Sequence, residues 1–354
     1  MINITKIQQA LSEKEFGAML LTNRANILYA TGFDCDACAL LISEGGAWFF
    51  TDSRYIEAAA AAISGVQVRM VTHDDPYSAQ IKALLDDNRI SSVGYEESSI
   101  THFGYREWRK KLKVKLVPAQ RILIGLRAVK SSGDLEKMKK AQRIAERSFN
   151  EILPLISADI TEKDLAAELL YRFLKNGADD KSFDVIAVSG PKTSMPHGVP
   201  GNVKIGKGFL TLDFGVKLDG WCSDTTRTLC IGEPDGEMRK IYDTVLRAQT
   251  AGIAAARAGI KGKAVDAAAR TIIEKAGYGE NFGHGFGHGI GLEVHEAPSV
   301  SVSSKDKLST GAVISAEPGI YLPGRYGVRI EDVIYITEDG CENITDLPKE
   351  LIII

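Results

Sequence analysis

The stretch 284–296 gathers three of the six histidines of the chain into one short segment. Glycine occupies every second position at its start, and a period of two is that of a β-strand. One face of such a strand would carry imidazoles and apolar side chains. The bare face would let another backbone approach closely. The alternative is a glycine-rich loop with solvated histidines. The histidines are His284, His288 and His295, and the glycines are Gly285, Gly287, Gly289 and Gly291.

Two carboxylates, Asp213 and Asp224, are predicted to converge on one β-hairpin. Between them lies Asp219-Gly220, a strong signal for a two-residue hairpin loop, and this loop would pair Gly215 with Asp224. Asp213 would then share a face with Asp224 as its diagonal neighbour, about 7–8 Å away at the backbone. Two carboxylates on one apolar-flanked hairpin repel each other, and a divalent cation between them would remove the conflict.

A second pair of acids, Glu317 and Glu331, also occurs in apolar strand contexts, where an ionised carboxylate needs a cation or several donors. Four carboxylates would neutralise two divalent ions. One imidazole would complete a mostly oxygen ligand set, which favours Mn²⁺, with Co²⁺ and Zn²⁺ as alternatives. Two ions about 3.5–4 Å apart would hold a bridging hydroxide and polarise a carbonyl. Taken singly, each acid has the simpler interpretation of a surface or salt-bridged carboxylate, so only the set supports a metal.

Seven motifs follow one another through the C-terminal part of the chain, and the stretches 26–33 and 51–55 add two more near the N-terminus. With these motifs the chain resembles the dinuclear-metal proline peptidases, which comprise aminopeptidase P and prolidase, with methionine aminopeptidase and creatinase as relatives. The resemblance runs from about residue 3 to Ile354. The seven motifs are Met195-Pro196-His197-Gly198, Leu212-Asp213-Phe214-Gly215, Ser223-Asp224-Thr225-Thr226-Arg227-Thr228, Gly287-His288-Gly289-Ile290-Gly291-Leu292, Val294-His295-Glu296, Glu317-Pro318-Gly319-Ile320-Tyr321 and Val328-Arg329-Ile330-Glu331-Asp332.

This resemblance implies an α/β creatinase-like N-terminal domain over residues 1–127 and an α+β pita-bread catalytic domain over residues 128–354, with pseudo-twofold halves. Carried over by motif, Asp224 and Glu331 would bridge the two metal ions. Arg329 matches an arginine beside the last ligand. The implied metal ligands are Asp213, Asp224, His288, Glu317 and Glu331, and the implied substrate-binding and transition-state histidines are His197, His284 and His295.

The activity that the resemblance implies is a metal-dependent exopeptidase that releases the N-terminal residue before proline by attack of a metal-bridging hydroxide. Glu317 would pass the proton to the proline nitrogen, and His197 and His295 would stabilise the oxyanion. The stretch 317–354 resembles short bacterial aminopeptidases P more closely than prolidases. A dipeptidase would need a cation for the free carboxylate of proline, for which Arg325 is a nearby candidate. The alternatives are therefore an Xaa-Pro dipeptidase (prolidase) and a non-catalytic binding module of the same fold.

The composition excludes several other classes of protein. The chain has 354 residues, of which 44% are hydrophobic and 25% charged, as expected for a soluble globular protein of more than one domain. A net charge of −3 gives no basic footprint for nucleic acid or anionic membranes. No apolar run approaches the roughly 20 residues of a membrane span. The N-terminus does not resemble a signal peptide, so the expected compartment is the cytoplasm. We expect a homodimer that acts on Xaa-Pro peptides.

Cys35 and Cys38 form a C-x-x-C motif, which could be redox-active or half of a zinc site. No second C-x-x-C and no nearby histidine complete a zinc set. The flanking residues are typical of a turn and a strand. We therefore favour a structural or accidental role for these two thiols.

Hydrophobic periodicity indicates the elements that must position these residues. Over residues 1–120 helical and strand patterns alternate, which is typical of an α/β sheet domain. The helical patterns cover about 3–14, 54–63, 76–86 and 103–112, and the strand patterns cover 18–22, 38–42, 47–51, 66–71 and 92–95.

After a break at 128–134, a long amphipathic helix is predicted over about 134–155 with Ser132 as its N-cap, and a second helix runs from Thr161 to Leu174. Helices at about 236–257 and 263–276 separate two strand-rich blocks, 183–231 and 281–337. Each block contains a glycine turn, a strand that ends in an acid and a second strand that bears another acid. A duplicated half-domain with a site between its halves would produce this pattern.

Overall fold

The computed structural model describes residues 3–354, which divide after Arg127 into two compact units. The first unit contains a mixed six-stranded sheet and six helices, which confirms the predicted α/β class. Its strands are β1 (Ala18–Leu21), β2 (Cys38–Ser43), β3 (Gly46–Thr51), β4 (Gln67–Met70), β5 (Ser92–Tyr95) and β6 (Lys115–Pro118). Its helices are α1 (Ile4–Leu11), α2 (Arg24–Thr31), α3 (Ile56–Ala62), α4 (Tyr77–Asp87), α5 (His102–Leu112) and α6 (Gln120–Ala128).

The strand order in this sheet is β4-β3-β2-β1-β5-β6. The pairs β1–β2 and β2–β3 are antiparallel, and the other three pairs are parallel. The sequence prediction lacked α2, because its buried residues do not lie on one apolar face. One of them is the polar Asn26, which donates a hydrogen bond of 2.6 Å to the buried carboxylate of Glu96. The Asn23 side chain caps the start of this helix, and Gly32 ends it with φ of 73°.

The second unit contains two pairs of helices and several short sheets. Its helices are α7 (Ser132–Ile152), α8 (Glu162–Lys175), α9 (Gly236–Ala255) and α10 (Gly262–Lys275). Its strands are β7 (Asp180–Lys181), β8 (Ile186–Ser189), β9 (Gly208–Phe214), β10 (Val216–Leu218), β11 (Trp221–Cys222), β12 (Thr225–Ile231), β13 (Gly287–Gly289), β14 (Glu296–Val300), β15 (Val313–Ala316), β16 (Gly319–Leu322), β17 (Tyr326–Arg329), β18 (Asp332–Ile336) and β19 (Cys341–Asn343). The N-cap of α7 is Ser131 rather than Ser132, and it forms a capping box with Asp134.

One arrangement occurs twice in this unit, as the predicted pseudo-twofold halves require. In the first half α7 and α8 precede the sheet β12-β9-β8, and in the second half α9 and α10 precede the sheet β14-β13-β15-β18-β19. In each half, the residue before the second helix forms an isolated β-bridge with a residue of a later loop. The two bridges are Thr161 with Lys204 and Lys261 with Lys307. Each half also has its own apolar core.

The predicted hairpin turn at Asp219-Gly220 is present between β10 and β11. Both turn residues have positive φ, 49° and 81°, as a type I′ turn requires. The register continues through β9 and β12, where Asp213 lies opposite Thr226. Asp213 and Asp224 are therefore diagonal neighbours on this hairpin, as the sequence predicted.

At two glycines the absence of a side chain lets two segments of backbone lie close together. A Cβ atom on Gly215 would lie 2.0 Å from the carbonyl oxygen of Ser223, and one on Gly287 would lie 2.1 Å from that of Ser315. Any side chain at these positions would separate the paired backbones. The bare glycine face of the stretch 284–296 therefore packs against backbone, although its regular strand is only the three residues of β13.

Gly215→Ala should destabilise the protein by about 1–3 kcal/mol or more, because the new methyl group has no room beside the Ser223 carbonyl. The matched control is Gly125→Ala in α6, where nothing lies within 4 Å of the added Cβ. That change should stabilise by roughly 0.5–1 kcal/mol, because alanine is the better helix former. Chemical denaturation of both variants measures the difference. Equal stabilities would contradict the packing argument.

Candidate metal centre

The five predicted metal ligands all lie in the second unit, at the ends of strands from both halves. Asp213 is on β9 and Asp224 precedes β12. His288 is on β13, Glu317 follows β15, and Glu331 lies between β17 and β18. The strand ends bring these residues together because β9 pairs with β12 in one half, while β13, β15 and β18 are neighbours in the other.

The geometry of this group suits a cation. Asp224, His288 and Glu331 offer ligand atoms that all lie within 4.8 Å of one another, and among residues 3–354 no other trio of His, Cys, Asp or Glu does so. The His288 Nε2 atom lies 3.1 Å from Glu317 Oε1. The Oδ1 atom of Asp213 is buried and has no hydrogen-bond partner. An unpartnered carboxylate oxygen beside this group is what a metal site requires of its ligands.

The charges of the group also favour a bound cation. Burial, followed by the charge of neighbouring carboxylates, raises the pKa of Asp224 and of Glu331 well above the usual value. Asp224 and Glu331 are buried, whereas the side chains of Asp213 and Glu317 keep 13% and 18% of their surface exposed. The group is thus accessible from the side of Asp213 and Glu317. Without a cation, four ionised carboxylates here would repel one another.

Within the group, His288 and Glu317 are the one pair whose opposite charges compensate each other. Burial would raise the pKa of Glu317, but the hydrogen bond and positive charge of His288 outweigh it and lower the pKa to about 2. Burial would lower the pKa of His288, but the Glu317 carboxylate outweighs it and raises the pKa. The Nδ1 atom of His288 lies 3.1 Å from the carbonyl of Gly289 and so carries the proton. Its Nε2 atom faces the carboxylates, as a ligating histidine requires.

His284 is held away from this group by Tyr321. Its Nδ1 atom faces the carbonyl of Gly285, and its Nε2 atom lies 2.9 Å from the Tyr321 hydroxyl. Burial lowers the pKa of His284, so the neutral imidazole accepts a hydrogen bond from Tyr321. Arg329 in turn donates to the Tyr321 oxygen at 2.9 Å. Sequence reasoning gave Tyr321 no role, although it closes the Glu317-Pro318-Gly319-Ile320-Tyr321 motif.

Arg329 is fully engaged by its neighbours. Its Nη2 donates to Asp213 Oδ2 at 2.6 Å, and its Nε donates to the Thr226 hydroxyl at 3.0 Å. The same hydroxyl donates to Glu331 Oε2 at 2.7 Å. Thr226 therefore orients an arginine and a carboxylate at once, a role that sequence reasoning did not assign to it. A second unassigned hydroxyl, that of Ser315, donates to Glu317 Oε1 at 3.0 Å.

The two exposed histidines approach the group from different segments. The chain turns between β13 and β14, where the register shifts after His288, and the ring centroid of His295 lies 4.3 Å from that of His288. Burial, and next the charge of His288, lower the pKa of His295. His197 follows the short 3₁₀ helix Gly190–Ser194, and the carbonyl of its neighbour Pro196 accepts from Arg329 at 3.3 Å.

Cys35 and Cys38 lie in the first unit, where their sulfur atoms contact neighbouring residues. The Cys38 thiol donates to the Cys35 carbonyl at 3.2 Å, and the Cys35 sulfur lies 3.7 Å from the Thr51 hydroxyl. Burial raises the pKa of Cys38, which keeps it a thiol rather than a reactive thiolate. A structural role stays our prediction. In the described part of the chain, the helices are too short or too polar to cross a bilayer.

Comparison with known proteins gives the same family that the motifs suggested. Family models match metallopeptidase family M24 over residues 136–338 and the creatinase/prolidase N-terminal domain over residues 3–129. The chain is 38% identical to the Xaa-Pro dipeptidase from Bacillus anthracis, with a TM-score of 0.95 and 99% of each chain covered. It is 36% identical to the X-Pro aminopeptidase from Thermotoga maritima, with a TM-score of 0.94 and 100% of each chain covered. It is 33% identical to the prolidase from Pyrococcus horikoshii, with a TM-score of 0.93 and 99% of each chain covered.

These matches confirm the predicted fold, a creatinase-type N-terminal domain followed by a pita-bread catalytic domain. Members of this family generally use divalent metal ions. The family match and the trio of Asp224, His288 and Glu331 agree on a metal-dependent peptidase. With a creatinase/prolidase N-terminal domain before its catalytic domain, the chain belongs to metallopeptidase family M24.

Proposed function

We propose that the chain is an Xaa-Pro dipeptidase. The group of four carboxylates and one imidazole, in which Asp213 Oδ1 has no partner, carries the metal-dependent chemistry that a dipeptidase and an aminopeptidase share. The names of the relatives from Bacillus anthracis and Pyrococcus horikoshii support a dipeptidase. The sequence alone favoured an aminopeptidase, so the order of the two candidates is reversed here. The homodimer and the cytoplasmic location stay predictions.

We further propose that Asp213, Asp224, His288, Glu317 and Glu331 would together hold two divalent ions. A ligand set of mostly oxygen atoms favours Mn²⁺, with Co²⁺ and Zn²⁺ as alternatives. When bound, such ions lower the pKa of a water molecule and polarise the scissile carbonyl.

The side chains around the group would serve the remaining steps. Glu317 is ionised and keeps 18% of its side-chain surface exposed, so its carboxylate would accept a proton from the attacking water and deliver it to the leaving proline nitrogen. His197 and His295, which are exposed, would donate hydrogen bonds to the oxyanion that develops on the carbonyl. His284, fixed by Tyr321, would contact the substrate. The proline nitrogen is tertiary in the peptide, so these groups must be arranged around its ring.

A dipeptidase must also recognise the free carboxylate of proline. Arg325, the candidate suggested by the sequence, is exposed and forms an ion pair of 2.5 Å with Glu237, so it is not suited to that role. Arg329 is bound to Asp213 and Tyr321. Both arginines are already bound to other residues, so neither is available for the free carboxylate of proline. This observation favours the second candidate, an Xaa-Pro aminopeptidase, in which the substrate continues past proline. The X-Pro aminopeptidase from Thermotoga maritima supports that candidate as well.

The two candidates differ in what they require beyond proline. An Xaa-Pro dipeptide should be cleaved with a kcat/KM at least about tenfold above that of the matching Xaa-Pro-Xaa tripeptide, because a site built for the carboxylate rejects a substrate without it. The amidated dipeptide, which keeps the size and loses the charge, is the control and should be equally poor. Release of the free amino acid in the presence of Mn²⁺ measures all three. Equal cleavage of the tripeptide would establish the aminopeptidase instead.

Asp224→Asn should abolish activity and remove most of the bound metal, because Asp224 belongs to the trio whose ligand atoms lie within 4.8 Å of one another. The metal-free variant should also melt at a higher temperature than the metal-free wild type at neutral pH. Folding raises the pKa of the Asp224 carboxyl above its value in the unfolded chain, which is about 4. Below the unfolded pKa the carboxyl does not lower the free energy of unfolding. As pH rises from the unfolded pKa to the folded pKa, the carboxyl increasingly destabilises the folded protein.

The control for this change is Asp219→Asn in the exposed hairpin turn, where asparagine also tolerates positive φ. Metal analysis and thermal unfolding should leave that variant like the wild type. Unchanged metal content in Asp224→Asn would disprove the ligand assignment.

His197→Ala and His295→Ala should each keep the bound metal and lower kcat by about 10²–10³, the usual effect of deleting one oxyanion donor. His73→Ala, an exposed histidine of the first unit, is the control and should retain full activity. Steady-state kinetics and metal analysis are measured together. Loss of metal from either variant would make that histidine a ligand.

A further inference from the structure

His197 lies in the segment 190–207, which joins β8 to β9 and has little apolar packing around the histidine. The neighbouring side chains of Met195 and Val199 are 59% and 75% exposed. An exposed segment that must hold a histidine in one place needs polar contacts to fix it.

One buried carboxylate provides these contacts. Glu162, the first residue of α8, is completely buried. Its Oε1 atom accepts the backbone N–H of Ser189 at 2.8 Å, before the segment begins. Its Oε2 atom accepts the backbone N–H of Gly201 at 3.0 Å and the ammonium of Lys192 at 2.5 Å. Lys192 also donates to the carbonyl of Val199 at 2.9 Å. The carboxylate therefore binds the chain on both sides of His197.

We propose that Glu162 and Lys192 are positioning residues that hold His197 at the metal centre. The proposal rests on the proposed function, in which His197 contacts the substrate. Neither residue touches the metal ligands or the substrate in this scheme. They act by closing the segment 190–201 into a loop of fixed shape.

The opposite side of the loop is fixed by β17. The backbone N–H of Gly327 donates to the Thr193 hydroxyl at 2.8 Å, and Arg329 donates to the carbonyl of Pro196 at 3.3 Å. These bonds connect the loop to the strand whose arginine binds Asp213. A displacement of the loop would thus move His197 relative to the metal ligands.

The second half of the unit contains a comparable arrangement, although at a different position on its second helix. Asp266 of α10 is completely buried, accepts the backbone N–H of Phe286 at 3.0 Å and pairs with Arg270 at 2.8 Å. Arg270 donates to the carbonyl of His284 at 2.7 Å. In each half, then, a buried acid on the second helix and a basic partner hold a segment that carries a histidine of the site. The repetition supports a shared purpose in positioning histidines.

A double-mutant cycle tests whether Glu162 acts through His197. Glu162→Gln should lower kcat by about 10- to 100-fold, because a displacement of about 1 Å at a catalytic group has an effect of this size. In the His197→Ala background the same change should lower kcat less than about twofold further, since the residue that it positions is gone. Metal content should equal that of the wild type in all four proteins. An equal loss in both backgrounds would mean a general effect on the fold and would overturn the proposal.

Lys192→Met is the second variant. If Glu162→Gln does not fold, the same cycle is measured with Lys192→Met and His197→Ala, and the same outcomes are expected. Lys204→Met is the matched control, because Lys204 pairs with Asp159 at 2.7 Å on the adjacent surface and both side chains are exposed. It should leave kcat unchanged.

Hydrogen exchange of the amides of residues 190–201 provides a measurement that is independent of activity. Exchange should accelerate in Glu162→Gln and Lys192→Met but not in Lys204→Met. Unchanged exchange in both variants would overturn the proposal. If the wild type cleaves no Xaa-Pro peptide, the proposed function fails, and the exchange result still shows whether Glu162 orders the loop.

Discussion

Mutual repulsion among Asp213, Asp224, Glu317 and Glu331 is the constraint on which the second unit depends. Three of the four carboxylates have a nearby donor: Arg329 binds Asp213, Thr226 binds Glu331, and His288 with Ser315 binds Glu317. The oxygens without such a donor include Asp213 Oδ1 and those of the Asp224 carboxylate, whose pKa is raised by burial and by its neighbours. The protein thus neutralises part of the charge with its own residues and leaves the rest for a cation.

The two halves are joined immediately behind the carboxylates. The fully buried Arg227 of β12 donates to the Glu331 carbonyl and to the Asp332 carboxylate of the other half. The backbone N–H of Glu331 donates to the Thr226 carbonyl at 3.1 Å. Breaking a buried pair of this kind typically costs about 3–5 kcal/mol, because it leaves an uncompensated charge. These bonds fix the distance between the ligands that each half contributes.

Features encoded in short stretches of sequence could be predicted, and features that depend on distant contacts could not. The turn at Asp219-Gly220 fixed the register and therefore the diagonal placement of Asp213 and Asp224, because each step is a local rule of strand pairing. Helix α2 was missed because a long-range bond to Glu96 compensates its buried asparagine.

The same distinction applies to the site. The motifs supplied the four acids and the one imidazole that the structure brings to one place, but their role as metal ligands stays a proposal. Thr226 and Tyr321 received no role, because their partners are remote in sequence. Arg325 appeared available only because its surface partner, Glu237, precedes it by 88 residues. Glu162 received no role from the sequence, and only the fold shows that its carboxylate binds the loop of His197.

The contacts of Arg227 have a consequence for the order in which the protein forms during synthesis. Its carbonyl partners at Leu347 and Pro348 follow it by 120 and 121 residues. At about 5–20 residues per second, a ribosome needs roughly 6–24 s to add that length of chain. Until then the guanidinium lacks two of the acceptors that surround it in the finished protein. The bonds behind Asp213 and Asp224 that join the two halves are therefore completed only after residues 347 and 348 have been added, later than every carboxylate of the group.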